Sequence, residues 1–244
     1  MEKMSIPALH AMKRDGRKIV GVVAWDTQIA QIADRAGVDF ISVGDSVGVN
    51  LWGHATDGEV TADEMLVCCR AVSRGTKRAL VSCDIPHGPV HEGVGAAVRA
   101  AQRFAKEGGA EMVKLHGDPA MVRAIVDAGV PVFAEFHGEN RPVEELVDEA
   151  RRLQDAGASL LDFRHSGPVA GAAVTRAVSI PVIGGLGGGP WLDGRVRLAH
   201  TAIGYAAKWI DAKTETYGNT AKLGLDAFRA LIDDVRSGRQ IKGG

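Results

Sequence analysis

Residues 40–46 read Phe-Ile-Ser-Val-Gly-Asp-Ser, an apolar run that ends at a glycine and is followed by a carboxylate and a hydroxyl. An apolar run of this length is typical of a parallel β-strand that is buried on both faces. Asp45 and Ser46 would then lie where the strand emerges from the sheet. Because Gly-Asp-Ser is also an ordinary turn sequence, this interpretation depends on whether the pattern recurs along the chain.

The same pattern, a helix that ends near glycine followed by an apolar strand, does recur. It is found at residues 108–115, 128–133, 156–161 and 178–183, and further strands are predicted at residues 19–25, 40–43 and 79–83. Helical patterns lie between them, for example over residues 27–36 and 61–74. Strands that alternate with helices indicate a parallel sheet, and about eight such units match a closed barrel better than an open sheet.

We therefore predict an α/β fold that consists of a single (β/α)8 TIM barrel over residues 1–244. A short amphipathic helix over residues 8–13 precedes the first strand. The eighth strand is expected within residues 202–210, and a last helix over residues 220–236. No linker or low-complexity segment divides the chain.

The composition favours a small molecule as the binding partner. A net charge of −1 gives no electrostatic reason to expect binding to nucleic acid or to an anionic membrane. No apolar stretch approaches the ~20 residues of a membrane span, and the N-terminus lacks the apolar core of a signal peptide. We expect a cytoplasmic protein that binds neither nucleic acid nor membrane.

The cysteines agree with that compartment. Cys68, Cys69 and Cys83 are an odd set without the spacing of metal ligands. We expect them to be buried thiols, as in proteins of a reducing compartment.

Titratable side chains or clustered glycines follow six successive predicted strands. In chain order they are Asp45 and Ser46, then Asp84, then Lys114 and His116, then Glu135 and His137, then Asp162, Arg164 and His165, and then the glycine-rich residues 184–189. The strands of such a barrel all end at one mouth, where the active sites of this fold lie. The sequence therefore predicts a functional site at that mouth.

Two of these carboxylates suggest a metal site. Asp45 and Asp84 come from adjacent strands and can converge on a divalent cation, which would remove their mutual repulsion. The alternative is that one or both cap a following helix. His116 could complete the ligand set, and an imidazole favours manganese, zinc or iron more than an all-oxygen site does.

Lys114 shares a strand face with His116, since side chains two residues apart point the same way. Inside a barrel a lysine needs a partner. It can pair with Asp45 or Asp84, or it can bind a substrate carboxylate, and a Schiff base is a third role.

Several segments together resemble the ketopantoate hydroxymethyltransferase family. The matching segments are residues 24–26, 43–48, 53–54, 60–61, 71–75, 83–86, 112–114 and 180–184. Gly-Asp-Ser followed by Gly-His and then by Asp-Ile-Pro is a fairly specific combination. The resemblance implies a (β/α)8 barrel of the phosphoenolpyruvate-utilising superfamily that transfers a hydroxymethyl group to 3-methyl-2-oxobutanoate in pantothenate synthesis.

The resemblance also implies partners and residue roles. It implies a divalent metal such as Mg²⁺, 5,10-methylenetetrahydrofolate as the carbon donor, and a homo-oligomer. By position, Asp45 and Asp84 correspond to the metal ligands. Ser46 and Lys114 correspond to the contacts with the 2-oxo acid.

The chain departs from the family pattern at three places. Where the family has Lys-x-Glu-Gly, residues 114–117 read Lys-Leu-His-Gly, so His116 replaces an acid and favours Mn²⁺ or Zn²⁺ beside Mg²⁺. The family's glutamate base on the sixth strand aligns with Arg164, which cannot accept a proton. After the fifth strand, residues 133–139 replace the family's Gly-His-Leu-Gly and its long loop, which covers part of the folate site.

Three functions remain open at this point. The first is a hydroxymethyltransferase in which Glu135, His137 or His165 is the base. The second is a metal-dependent aldolase or lyase that acts without folate on another 2-oxo acid, such as a dicarboxylic one, with Arg164 binding the second carboxylate. The third is a non-catalytic barrel with a binding role. We expect the first.

Overall fold

Eight parallel strands form a closed barrel in the computed structural model, which describes residues 2–211 and 216–243. In chain order and in sheet order they are β1 (Ile19–Val23), β2 (Phe40–Val43), β3 (Leu80–Asp84), β4 (Met112–His116), β5 (Val132–His137), β6 (Leu160–Arg164), β7 (Val182–Gly184) and β8 (Gly194–Leu198). Each strand pairs with the next in parallel. The predicted (β/α)8 fold is confirmed.

Helices precede or follow each strand along the chain. They are α1 (Ile6–Arg14), α2 (Thr27–Ala36), α3 (Ala62–Gly75), α4 (His87–His91), α5 (Val94–Arg103), α6 (Pro119–Asp127), α7 (Val143–Asp155), α8 (Pro168–Ala177), α9 (Ala199–Ile203) and α10 (Thr220–Arg236). Helix α3 begins at the predicted capping box, in which the Thr61 hydroxyl accepts from the Glu64 N–H and the Glu64 carboxylate accepts from the Thr61 N–H. Short π-helical turns follow β2 at Gly48–Trp52 and α5 at Phe104–Gly108.

The chain divides into two compact units, Met1–Arg197 and Leu198–Gly244. The first contains nearly all of the barrel and α1–α8, and the second contains α9 and α10. That residues 1–244 form a single domain stays a prediction.

Helix α1 closes the amino-terminal end of the barrel. Leu9 and Met12 pack in one buried cluster with inward side chains of the strands, among them Phe40 and Phe133. The Lys13 ammonium pairs with Asp193 at 2.9 Å and donates to two backbone carbonyls near the end of the first unit. The opposite, carboxyl-terminal end is therefore the open one.

The predicted position of the eighth strand is wrong. It was expected within residues 202–210, but β8 is Gly194–Leu198, and α9 covers Ala199–Ile203. The β8 sequence alternates small or apolar residues with exposed Arg195 and Arg197, so it lacks the continuous apolar run of the other strands. A strand with one solvated face shows this alternation, and the more apolar segment after it forms a helix instead.

Cys68, Cys69 and Cys83 are buried free thiols, as expected. Within residues 2–211 and 216–243, no helix has both the length and the apolar character that a membrane crossing requires.

Candidate active site

The inward side chains of β3–β6 change from apolar to polar towards the carboxyl-terminal mouth. Leu80, Met112, Phe133 and Leu160 belong to the buried core. Two residues later on the same strands come Ser82, Lys114, Glu135 and Asp162, and two residues further come Asp84, His116, His137 and Arg164. Because side chains repeat with period two, each strand delivers two polar groups to the mouth.

Lys114 is the central cation of this site. Its side chain is 12% exposed, and its ammonium forms ion pairs with Glu135, with Asp162 at 3.4 Å and with Asp84 at 3.7 Å. Burial alone would lower the pKa of Lys114, but the three carboxylates outweigh burial and raise that pKa well above its usual range. Lys114 is therefore a permanent cation, which speaks against the Schiff-base role, because that role needs a neutral amine.

Glu135 is held between several partners. One carboxylate oxygen faces Lys114, and the other accepts from Arg164 at 2.8 Å and lies 3.0 Å from Nε2 of His137. Burial would raise the pKa of Glu135, but Lys114 and Arg164 lower it well below its usual range. A carboxylate that ionises so readily is a weak base, and its contact with His137 orients that imidazole.

Burial makes the ionised forms of Asp45 and Asp84 unfavourable in the protein by itself. Burial raises the pKa of Asp84 to about 7, with Lys114 opposing the rise and Asp45 adding to it. Burial also raises the pKa of Asp45, where Lys114 again opposes. Burial thus disfavours ionisation of Asp45 and Asp84, and a divalent cation between them would favour their ionised forms again.

His116 lies with Glu135 and His137. One donor atom from each of these three side chains lies within 4.8 Å of the others, and the residues that the structure describes contain no other such group of His, Cys, Asp or Glu. The sequence suggested Asp45 and Asp84 as the partners of His116, so this grouping was missed. That Asp45 and Asp84 ligate a metal stays a prediction.

Ser46 lies in the turn that follows β2. Its backbone N–H donates to the Asp45 carboxylate, which aims that carboxylate. The Trp25 indole donates to the Gly44 carbonyl at 2.9 Å and fixes the start of the turn. The predicted contact between Ser46 and substrate stays a prediction.

His165 has an unusual backbone conformation at the end of β6. Its φ is +49°, in the left-handed region that residues other than glycine seldom adopt. Its N–H donates to the Leu186 carbonyl at 2.8 Å, and its Nε2 lies 3.2 Å from Glu139. A methyl group on Gly187 would lie 2.9 Å from Nδ1 of His165, so glycine lets the loop approach that nitrogen.

Asp162 was predicted at a strand end of the site, but the sequence assigned it no role. Its side chain is buried, pairs with Lys114 and accepts from the Gly185 N–H at 3.0 Å, so it links β6 to the glycine-rich loop. Burial raises the pKa of Asp162, with Lys114 opposing. The available signal was its spacing, two residues after inward-facing Leu160.

Comparisons with known proteins match nearly the whole chain to one family. A model of the ketopantoate hydroxymethyltransferase family matches residues 3–138 and 135–240. The 3-methyl-2-oxobutanoate hydroxymethyltransferase of a Cyanothece strain is 36% identical, covering 96% of this chain and 97% of its own. That of Leifsonia xyli is 34% identical, covering 94% and 89%.

Solved structures show the same fold at lower sequence identity. A phosphonopyruvate hydrolase in complex with oxalate and Mg²⁺ is 17% identical, with a TM-score of 0.66 over 97% of this chain and 88% of its own. A 2,3-dimethylmalate lyase of the PEP mutase/isocitrate lyase superfamily is also 17% identical, with a TM-score of 0.62 over 100% and 91%. Since the family model spans nearly all of the chain and full-length relatives exceed 30% identity, the resemblance is confirmed, and the chain belongs to the ketopantoate hydroxymethyltransferase family.

Proposed function

We propose that this protein forms a carbon–carbon bond at the enolate of a 2-oxo acid, transferring a hydroxymethyl group to 3-methyl-2-oxobutanoate or a close analogue. The carbon donor in this proposal is 5,10-methylenetetrahydrofolate. The observation that carries the proposal is the permanent cation of Lys114 beside the charge-rich pair Asp45 and Asp84 at the barrel mouth of a chain of this family.

Asp45 and Asp84 are the proposed holders of a divalent ion. Their raised pKa values support this role, because they show that the protein itself does not fully stabilise the two carboxylate charges. A bound divalent ion would act as a Lewis acid that makes the C–H beside the ketone acidic and stabilises the enolate.

Lys114 and Ser46 are the proposed contacts with the carboxylate and ketone of the substrate. Its raised pKa keeps Lys114 protonated near neutral pH, so it can hold an anionic group there. Its pairs with Glu135 and Asp162 fix the ammonium in place, which lowers the entropic cost of substrate binding.

His165 is the proposed base in place of the family's glutamate. Arg164 cannot accept a proton, and Glu135 is too acidic to be an effective base. If Glu139 accepts a hydrogen bond from Nε2–H of His165, Nδ1 keeps its lone pair and faces the glycine-rich loop. A histidine oriented by a carboxylate is the usual arrangement of a general base near neutral pH.

A second candidate is an aldolase or lyase that acts on a dicarboxylic 2-oxo acid without folate. The observation that favours it is Arg164, which is 32% exposed at the mouth and is oriented by Glu135. A guanidinium has five N–H donors, so its bond to Glu135 leaves donors for a second substrate carboxylate.

Proton NMR in deuterium oxide separates these functions. The protein is incubated with Mg²⁺, Mn²⁺ or Zn²⁺ and either 3-methyl-2-oxobutanoate or a dicarboxylic 2-oxo acid, first without folate. We expect metal-dependent loss of the C3 proton signal of 3-methyl-2-oxobutanoate, and its conversion to a hydroxymethyl product once the folate is added. Exchange confined to the dicarboxylic acid would support the second candidate, and no exchange with any acid would leave a non-catalytic binding role.

Two variants test the residues. Asp84→Asn and His165→Gln should each abolish the exchange while the circular dichroism spectrum is kept, and exposed His87→Gln is the matched control that should exchange normally. Full exchange in His165→Gln would remove that residue from the mechanism.

We also propose that the protein assembles as a homo-oligomer in the cytoplasm. The three buried free thiols support a reducing compartment, and the family resemblance supports the assembly.

A further inference from the structure

We propose that His116, Glu135 and His137 form a binding site for a transition-metal ion such as Zn²⁺ or Co²⁺, separate from the site of Asp45 and Asp84. Binding at this site does not depend on the proposed reaction. It rests on three side chains that two neighbouring strands bring together at the barrel mouth.

The first argument is geometric. His116 and Glu135 are directly opposite each other in the β4–β5 register, and His137 lies two residues after Glu135 on the same face. The imidazole rings of His116 and His137 have their centres 5.7 Å apart, and Nε2 of His137 lies 3.0 Å from the Glu135 carboxylate. With zinc–ligand bonds of about 2 Å, the donor atoms around one zinc ion lie about 3–4 Å from one another. Rotation of the exposed His116 side chain would bring its ring nitrogen to that distance from Glu135 and His137.

The second argument is the chemistry of the donors. Two imidazoles and one carboxylate are the protein ligands of open zinc sites, which leave a fourth position for water or another molecule. The same set suits iron and cobalt. Mg²⁺ prefers oxygen ligands, so we expect it to bind weakly at this site. Asp45 and Asp84, by contrast, offer only oxygen.

The third argument is the orientation of Glu135. Lys114 and Arg164 donate to its carboxylate from outside the ligand set and fix its position, as outer partners do in metal sites. A carboxylate has about four lone-pair positions, so these contacts still allow it to bind a cation. Asp84 and Asp162 also pair with Lys114, so Glu135 is not its only partner.

The site is also open to solvent. His116 is exposed and the His137 side chain is 39% exposed, so an ion can enter without unfolding the barrel. For the same reason, replacing either histidine by glutamine should leave the fold intact.

The test is metal binding by the full-length protein without any 2-oxo acid. Purified protein is stripped with a chelator and placed in excess Mg²⁺, which fills oxygen-rich sites. Zn²⁺ binding is then followed by equilibrium dialysis, and Co²⁺ binding by its visible absorption. We expect one equivalent of Zn²⁺, and binding at least about tenfold weaker in His116→Gln and in His137→Gln.

A second histidine pair requires a matched control. His87 and His91 lie one turn apart on α4, with ring nitrogens 2.7 Å apart and exposed, so this pair is the alternative location for the single equivalent of Zn²⁺. The double variant His87→Gln/His91→Gln should keep the Co²⁺ spectrum of the parent protein. Asp84→Asn should keep it as well.

Three outcomes would overturn the proposal. They are no Zn²⁺ binding in excess Mg²⁺, loss of binding in the α4 double variant with retention in His137→Gln, and loss of binding in Asp84→Asn. Because no substrate is present, failure of the proposed reaction would leave this result unchanged. Circular dichroism of each variant shows that lost binding is not lost folding.

Discussion

Asp34 shows how a buried carboxylate can stabilise this fold away from the active site. It lies in α2, and its two oxygens accept from the backbone N–H groups of Lys77, Arg78 and Ala79, directly before β3. Burial would raise the pKa of Asp34, but those three N–H donors and the Arg78 charge lower it below 3.8. The ionised form therefore holds the loop before β3.

We expect Asp34→Asn to lose about 2 kcal/mol of unfolding free energy at neutral pH, since hydrogen bonds to a charged group are replaced by weaker ones. When folding lowers the pKa of a carboxyl group, the ionised group stabilises the protein at any pH above its pKa in the unfolded state. That stabilisation is lost as the pH falls through its pKa in the folded state. The difference between variant and parent should thus shrink below pH 3.8. Urea unfolding at several pH values measures this difference in unfolding free energy, with exposed Asp15→Asn as the control. A difference that grows as the pH falls would contradict the prediction.

Lys114 gives the opposite pH dependence. Lys114→Met leaves Asp84, Glu135 and Asp162 with Arg164 as the remaining cation, so we expect a loss of about 3–5 kcal/mol. The uncompensated carboxyl groups would then have raised pKa values in the folded state, and stability would fall as the pH rises through them. Urea unfolding in the presence of a chelator should show the variant recovering stability from pH ~8 to pH ~5.

Exposed Lys222→Met, which removes a surface pair with Asp226, is the control for that series. It should change stability by less than about 0.5 kcal/mol and show no such recovery. Equal stability of Lys114→Met and the parent at every pH would mean that the carboxylates do not depend on Lys114.

At the scale of elements, β8 closes the barrel through a close approach to β1. A methyl group on Gly194 would lie 2.2 Å from the Ile19 carbonyl oxygen, and the Ile19 N–H donates to the Asp193 carbonyl at 2.9 Å. Glycine is therefore required because backbone from two strands meets there.

We expect Gly194→Ala to destabilise the protein by about 3 kcal/mol, because the two strands must separate to admit the methyl group. Thermal unfolding followed by circular dichroism measures the loss. Gly88→Ala on α4, where nothing lies within 4 Å of the added carbon, is the control and should change stability by less than about 0.5 kcal/mol. Equal melting temperatures for the two variants would disprove the close approach.

The elements were predictable from sequence where a single local signal defines them. The capping box at Thr61 and Glu64 gave the start of α3, and apolar runs gave β2 and β3. β8 was not predictable in this way, because its two faces differ and its close approach to Ile19 comes from a strand far away in sequence. In the site, the strand ends predicted which residues converge. The partners of His116 and the burial of Asp162 depend on the register between neighbouring strands, and no local sequence pattern contains that register.

At the scale of the whole molecule, α10 presents an apolar face to solvent. Phe228, Leu231, Ile232 and Val235 are exposed and follow one another at helical spacing on one side. Monomers rarely expose contiguous apolar patches of this kind.

We therefore expect size-exclusion chromatography with light scattering to give a multiple of the chain mass at micromolar concentration. The double variant Phe228→Ser/Leu231→Ser should shift the mass downward, while Ile32→Ser, a solitary exposed apolar residue on α2, should not. A single-chain mass for the unmodified protein would contradict the homo-oligomer.

The closure of the barrel base by α1 has a consequence for how the protein is made. Helix α1 has its full set of contacts only when Lys13 reaches Thr175, Ile180 and Asp193. Leu9 and Met12 belong to a cluster that ends with Val196 of β8, so their burial is incomplete until β8 is in place. A truncated product that stops before β8 would leave part of this apolar surface exposed and prone to aggregation.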